Sequence, residues 1–111
     1  MDCIFCKIVN KDIETKLLYE DDECMVFHDI EPTAPVHILA IPKKHIEGVD
    51  TMSSEDEKLI GHIFTVLQKL AEDLDLKKGY RIITNIGEDG LQSIRHLHFH
   101  LLGGRKLGWD M

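Results

Sequence analysis

The chain has 111 residues, enough for one domain and for a core that needs no disulfide staples. Its 13 Lys and Arg stand against 20 Asp and Glu, and the net charge of -7 excludes broad binding to a nucleic-acid backbone, which needs a basic footprint. No stretch approaches the roughly 20 apolar residues of a membrane span, so neither nucleic acid nor membrane is an expected partner.

Three cysteines, Cys3, Cys6 and Cys24, form an odd set that argues against a disulfide framework and suits a reducing compartment. The start Met1 to Lys7 lacks the basic region and long apolar run of a signal peptide, so a cytoplasmic location is expected. There is no internal repeat and no Gly/Ser/Pro-rich linker. The chain reads as a single α+β domain over residues 1–111.

Ile4, Phe5, Ile8 and Val9 make residues 3–10 compatible with a short helix, although a stretch of this length does not separate helix from strand. Leu17-Leu18-Tyr19-Glu20 and Cys24-Met25-Val26-Phe27 flank the acidic turn Asp21-Asp22-Glu23 and read as a hairpin, with Cys24 in the core. Val36 to Ile41, between Pro35 and Pro42, is aliphatic and β-branched enough for a strand. A long helix follows. Ser54 with Glu57 forms a capping-box pattern, Leu59, Ile60, Ile63, Phe64, Leu67, Leu70, Ala71 and Leu74 recur at helical spacing, and Gly79 is the expected stop. Val66 widens the apolar stripe, which fits either a broad core contact or a helix that also covers a partner subunit. Tyr80 to Thr84 reads as the next strand, and the Gly-containing loop from Asn85 to Ser93 joins it to a last one.

That last segment, His96-Leu97-His98-Phe99-His100-Leu101-Leu102, carries the chemistry. Successive side chains of a strand point to opposite faces, so the three imidazoles share one face while Leu97, Phe99 and Leu101 enter a core. Three groups that titrate near neutrality then lie within roughly 13 Å of chain. Such a face can chelate zinc, can place one imidazole as a nucleophile with its neighbours as hydrogen-bond partners, or can simply be solvated. The preceding loop delivers Gln92 and Ser93, whose amide and hydroxyl groups can hold phosphate oxygens or donate to a leaving group. Cys3-Ile4-Phe5-Cys6 has the spacing of half a zinc site, which His45 and His96 could complete. A redox dithiol and a buried inert pair are the other readings.

The His-apolar-His-apolar-His segment resembles the motif of the histidine triad (HIT) superfamily. Ile4-Phe5-Cys6-Lys7-Ile8, Phe27-His28-Asp29-Ile30, Pro35-Val36-His37, Ile41-Pro42-Lys43-Lys44-His45, Gly79-Tyr80-Arg81, Asn85, Gln92-Ser93 and Gly103-Gly104-Arg105 through Trp109 extend the likeness to the nucleotide-binding Hint branch over nearly the whole chain. The resemblance implies a HIT fold of about five antiparallel strands with one long and one short helix, its sheet continued across a homodimer. It implies hydrolysis of the P–N bond of purine nucleoside 5′-phosphoramidates, with the monophosphate as product. The nucleophile maps to His98, with His100, Ser93, His96 and His37 in the catalytic set. Nucleotide-binding positions map to Ile4, Phe5, Ile8, Phe27, His28, Asp29 (for the ribose), Ile30, Leu39, Asn85, Gln92, Ser93, Ile94, His98 and His100. A structural zinc would be held by Cys3, Cys6, His45 and His96, with no metal needed for the chemistry.

Two positions depart from the Hint pattern. Leu91 stands where glycine is usual, and a side chain there is expected to crowd the phosphate loop or narrow the substrate range. The end Trp109-Asp110-Met111 replaces the Trp-Pro-Pro-Gly type and bears on leaving-group preference. Three further readings stand beside the phosphoramidase: dinucleoside polyphosphate hydrolysis as in the Fhit branch, a nucleotide-binding scaffold with incidental hydrolysis, and a triad that chelates a catalytic metal.

Overall fold

The computed structural model describes residues 3–109, so Asp110 and Met111 of the tail lie outside the described residues. Five antiparallel strands form one sheet in the order β1-β2-β3-β5-β4. They are β1 (Leu17–Glu20), β2 (Cys24–His28), β3 (Val36–Pro42), β4 (Tyr80–Ile83) and β5 (Phe99–Gly103). A short helix α1 (Ile4–Val9) lies against one face, and the long helix α2 (Glu57–Asp73) against the other. This is the expected α+β HIT architecture. Among the described residues, no helix is long and apolar enough to cross a membrane.

The period-two alternation of the strands builds two cores. Cys24, Val26, Ile38, Ala40, Leu97, Phe99 and Leu101 pack with Ile63, Val66, Leu67, Leu70 and Ala71 of α2. Met25, Phe27, Leu39 and Ile41 point the other way and pack with Phe5 and Ile8 of α1. Val66 is thus part of the chain's own core, while Phe64 is 44% exposed with its ring 5.3 Å from that of Phe99. The hairpin turn is shaped by Asp21, whose Oδ1 accepts from the N–H groups of Glu23 (2.8 Å) and Cys24 (2.9 Å). That is the local bond that suits an aspartate to a tight turn.

Three boundaries differ from expectation, each for a local reason. The helix cap uses Ser53 and Asp56, one residue earlier than the Ser54/Glu57 pair, and a 3₁₀ turn (Ser54–Asp56) precedes α2. Asp56 accepts there from the Ser53 N–H at 3.1 Å and from Lys44 Nζ at 2.6 Å. At its other end α2 stops at Asp73 rather than near Gly79. Asp75 takes the left-handed conformation (φ 60°), and the Leu76 N–H returns to the Ala71 carbonyl at 3.0 Å, closing the helix six residues before the glycine is reached. The histidine strand is also shorter than its sequence pattern. The β3 pairing runs from Val36↔Gly103 to Ala40↔Phe99, and continuing that register sets Leu97 opposite Pro42, which has no N–H to offer. The chain bends through residues 94–96 and enters the ladder only at Phe99, and residues 97–98 are held outside it by the Leu97 N–H on the Ile46 carbonyl (2.6 Å) and by the Thr84 hydroxyl on the His98 carbonyl (2.9 Å).

Leu91 adopts a left-handed conformation (φ 61°) with its side chain 82% exposed. A glycine at this turn would relieve the roughly 1–2 kcal/mol a side chain costs there and give back about 0.4–1 kcal/mol as added unfolded-state freedom. Leu91→Gly should therefore be neutral to mildly stabilising in a urea titration. A loss above about 1 kcal/mol would show that the leucine makes a contact the fold depends on.

Candidate active site

Each triad imidazole meets a different partner, and the partners fix its protons. His98 is 3% exposed, and its Nδ1–H donates to the His96 carbonyl at 2.8 Å. A carbonyl can only accept, so the proton sits on Nδ1 and Nε2 keeps its lone pair. Burial, against the weaker opposing effects of the His96 carbonyl bond and of Asp29, lowers the pKa of this ring and keeps it neutral. Phe5 meets the ring edge-on at 5.1 Å between centroids and limits how far it can tilt.

His100 belongs to a second chain of donors. The Thr33 N–H donates to His37 Nδ1 at 3.1 Å, which leaves the His37 proton on Nε2. That N–H lies 2.9 Å from His100 Nδ1 and 3.3 Å from Asp29 Oδ2. His100 Nδ1 must accept, so its own proton is on Nε2. Burial above all, then the neighbouring His98 and His37, bring the pKa of His100 down from 6.5 to about 4. The unfolded chain takes up a proton at this position as pH falls through 6.5, whereas folded His100 does not until about 4. Stability present above pH 6.5 should drain away between these values and then level off for this group. Urea titrations from pH 7.5 to 4.5 check this, and for His100→Asn the slope should be shallower; equal slopes would contradict it.

His96 is wholly buried and turns to a third set of atoms. Its Nε2–H donates to the Pro42 carbonyl at 2.9 Å, so the Nδ1 lone pair faces His45 Nδ1 (3.1 Å), Cys3 Sγ (3.4 Å) and Cys6 Sγ (3.6 Å). Cys3 caps α1 and Cys6 follows one turn later, which brings both thiols to one side of the helix while Phe5 and Ile8 pack on the sheet. The Cys6 thiol lies 3.2 Å from His45 Nδ1. Two sulfurs and two ring nitrogens whose ligating atoms all lie within 4.8 Å of one another fit a closed tetrahedral zinc site. The three triad rings do not share a ligand set among the described residues, which removes the metal-chelating triad. A solvated polar face is equally excluded by the burial of His96 and His98.

Beside His98 and His100 opens a cleft of about 370 Å³. It is walled by Ile4, Phe5 and Ile8 of α1, by Phe27, His28, Asp29 and Ile30 at the end of β2, by Leu39, and by Ser93 and Ile94 of the loop. The volume is that of a small-molecule site. Ile30 is 89% exposed, an apolar side chain at the rim that a flat ligand would cover. A larger space of about 780 Å³ lies between residues 75–79 and 104–106, away from the triad and lined by exposed lysines and Arg105.

A model of the family described as "Scavenger mRNA decapping enzyme C-term binding" matches residues 2–108. An uncharacterized HIT-like protein of Synechococcus elongatus is 44% identical over 108 residues, 97% of this chain and 95% of that protein. This chain belongs to the HIT superfamily. Among solved structures, the HIT family hydrolase from Legionella pneumophila Philadelphia 1 superposes with a TM-score of 0.96 at 40% identity, covering 98% of each chain. The histidine triad nucleotide-binding protein from Candida albicans superposes with a TM-score of 0.83 at 32% identity, over 99% of this chain and 84% of that one.

Two of the expected nucleotide-binding positions, Asn85 and Gln92, stand off the cleft wall, as do His37 and His96 of the expected catalytic set. The Asn85 amide donates to the Gly90 carbonyl at 2.7 Å. The Gln92 side chain accepts from the Gly87 N–H (3.0 Å) and from Arg95 Nη1 (2.7 Å), and donates to the carbonyls of Glu47 (2.7 Å) and Ile94 (3.1 Å). Both amides are committed to the shape of the loop that carries Ser93. Leu91 is not among the cleft-lining residues, so it does not crowd this space. Ile13, Glu14, Thr15 and Glu31 do line it and were not anticipated. The one sequence signal was Ile13, an apolar residue within the polar run from Asn10 to Lys16.

Proposed function

We propose that this HIT protein hydrolyses purine nucleoside 5′-phosphoramidates through a nucleotidyl-histidine intermediate on His98. The observation that carries the reading is the His98 tautomer: Nδ1–H is held by the His96 carbonyl, and an unprotonated Nε2 belongs to a ring on the cleft wall. The names of the Legionella hydrolase and the Candida nucleotide-binding protein support it at the level of hydrolysis and nucleotide binding.

The base packs between the apolar walls of Ile4, Phe5, Ile8, Phe27, Ile30, Leu39 and Ile94, with His28 beside it, and Asp29 binds the ribose hydroxyls. His98 Nε2 attacks the α-phosphorus in line, a P–Nε2 bond forms and the P–N bond to the amine breaks. A proton drawn from solvent reaches the departing amine through the Ser93 hydroxyl, which the Nε2–H of neutral His100 orients, because the amine is a poor leaving group until protonated; help of this kind is worth roughly 10²- to 10⁴-fold. Water then attacks phosphorus, the P–Nε2 bond breaks, and the monophosphate leaves. His37 fixes the His100 tautomer, while Asn85 and Gln92 fix the loop.

Cys3, Cys6, His45 and His96 would hold zinc as a structural ion, tying α1 to the segment that carries His98. All four positions of a tetrahedral ion would be filled by protein, leaving none for substrate. The site needs reduced thiols, which a cytoplasmic location supplies. Strand β4 lies at the edge of the sheet with Tyr80 40% exposed, which suits a second copy pairing there to make a homodimer.

The test is comparative turnover. Purified protein is given an adenosine 5′-phosphoramidate and, separately, a diadenosine polyphosphate. Faster release of AMP and amine from the first supports the reading; faster cleavage of the second would favour the Fhit-type activity. Tight AMP binding with negligible turnover of either would leave a scaffold role.

A further inference from the structure

Besides the Cys3 site and the Asp29, His37 and His100 group at the triad, another cluster of metal-binding atoms lies on the α2 face of the sheet. Asp21 of the hairpin turn, Cys24 of β2 and His62 of α2 each offer one ligating atom, all within 4.8 Å of one another. Their chemistry is mixed: a thiol, an imidazole and a carboxylate. We propose that Asp21, Cys24 and His62 form a binding site for a borderline divalent transition-metal cation of the zinc type, linking the β1–β2 hairpin to α2. Sulfur and nitrogen donors select such ions over magnesium or calcium.

The carboxylate is fixed in advance. Asp21 Oδ1 is held by the N–H groups of Glu23 and Cys24, and the Tyr19 hydroxyl donates to Oδ2 at 2.8 Å, an outer hydrogen bond of the kind that orients metal ligands. Cys24 is wholly buried and forms the floor, while the side chains of Asp21 (25% exposed) and His62 (36%) form the rim. A fourth position on the ion would therefore open toward water. His62 Nε2 now lies 2.5 Å from Asp21 Oδ2 and donates to it. Metal bonds of about 2.0–2.3 Å require that pair to spread by under roughly an ångström, which a rotation of the half-exposed His62 ring provides.

Charge and protons balance. The ion displaces the Cys24 thiol proton to solvent, and the His62 ring proton moves to Nδ1 so that Nε2 can bind. One thiolate and one carboxylate then neutralise the divalent charge. Without metal the buried thiol stays protonated, burial and the Asp21 charge having pushed it up to about 12. This is the arrangement in which metal affinity rises with pH.

The experiment is an anaerobic cobalt titration of the metal-free protein with a non-thiol reductant, read by thiolate-to-cobalt absorbance and by cobalt retained per chain after gel filtration. Wild type should retain one equivalent more than His62→Gln and one more than Cys24→Ser, the two variants keeping the wild-type circular dichroism spectrum. Cys3→Ser/Cys6→Ser addresses the other cluster and should keep the Cys24-dependent absorbance. His62→Gln changes a half-exposed position and is the safer variant for folding. Equal retention by wild type and His62→Gln would overturn the proposal, whatever the Cys3 site binds.

Discussion

Replacing His98 with alanine should lower turnover of an adenosine 5′-phosphoramidate by about 10⁴-fold or more, the scale of losing the central member of a catalytic unit. Binding of AMP should change far less. The wall proposed to bind the nucleotide comes from α1, the end of β2, Leu39 and the loop after Gly90, and of its apolar residues Phe5 meets the His98 ring edge-on while the others lie along the rest of the cleft. The loss therefore falls on the chemical step and leaves ground-state affinity near that of the wild type. Steady-state kinetics with AMP affinity measured in parallel check this. Activity within tenfold of wild type would place the nucleophile elsewhere.

The second large effect is on stability. Leu97→Ala should destabilise the protein by about 2–5 kcal/mol, the range for emptying a filled leucine site. Leu97 is wholly buried between the sheet and α2, and its N–H is one of the few backbone bonds that hold residues 97–98 once the β3 ladder has ended. This leucine anchors the stretch on which His96 faces the Cys3 cluster and His98 faces the cleft. Zinc affinity and turnover should fall together in the same variant, measured at a temperature where it remains folded. Urea unfolding at pH 7 gives the first quantity; a loss under about 1 kcal/mol would mean that the surroundings collapse onto the vacated space.

The alternation of Leu97, His98, Phe99 and His100 was sufficient to assign faces, because side-chain direction in extended chain has period two whether or not the ladder continues. It could not show where the ladder ends, since that depends on Pro42 in another strand. The hairpin at Asp21 was legible because its signal is local, whereas the six residues of Ile4–Val9 are too few for periodicity to separate helix from strand. The end of α2 was not legible either, as Asp75 does there what a glycine usually does, a choice only tertiary packing of Leu76 makes visible.

The site divides in the same way. Burial of His96 and His98, the His37 to His100 bond and the approach of His45 to His96 join segments 51 to 63 residues apart, so spacing could nominate these residues but not assign their protons. Asn85 and Gln92 show the opposite limit. Their residue types suit phosphate contact, yet local loop closure claims their amides. Ile13 to Thr15 and Glu31 reach the cleft from irregular segments with no periodicity to read.

The most direct test is to quench the protein during turnover of an adenosine 5′-phosphoramidate and map its peptides by mass spectrometry under conditions that preserve phosphorus–nitrogen bonds. An adenylyl group on the peptide containing His98, absent in His98→Ala, is the expected result. Turnover with no adduct under any quench, or an adduct on another residue, would contradict a covalent His98 mechanism.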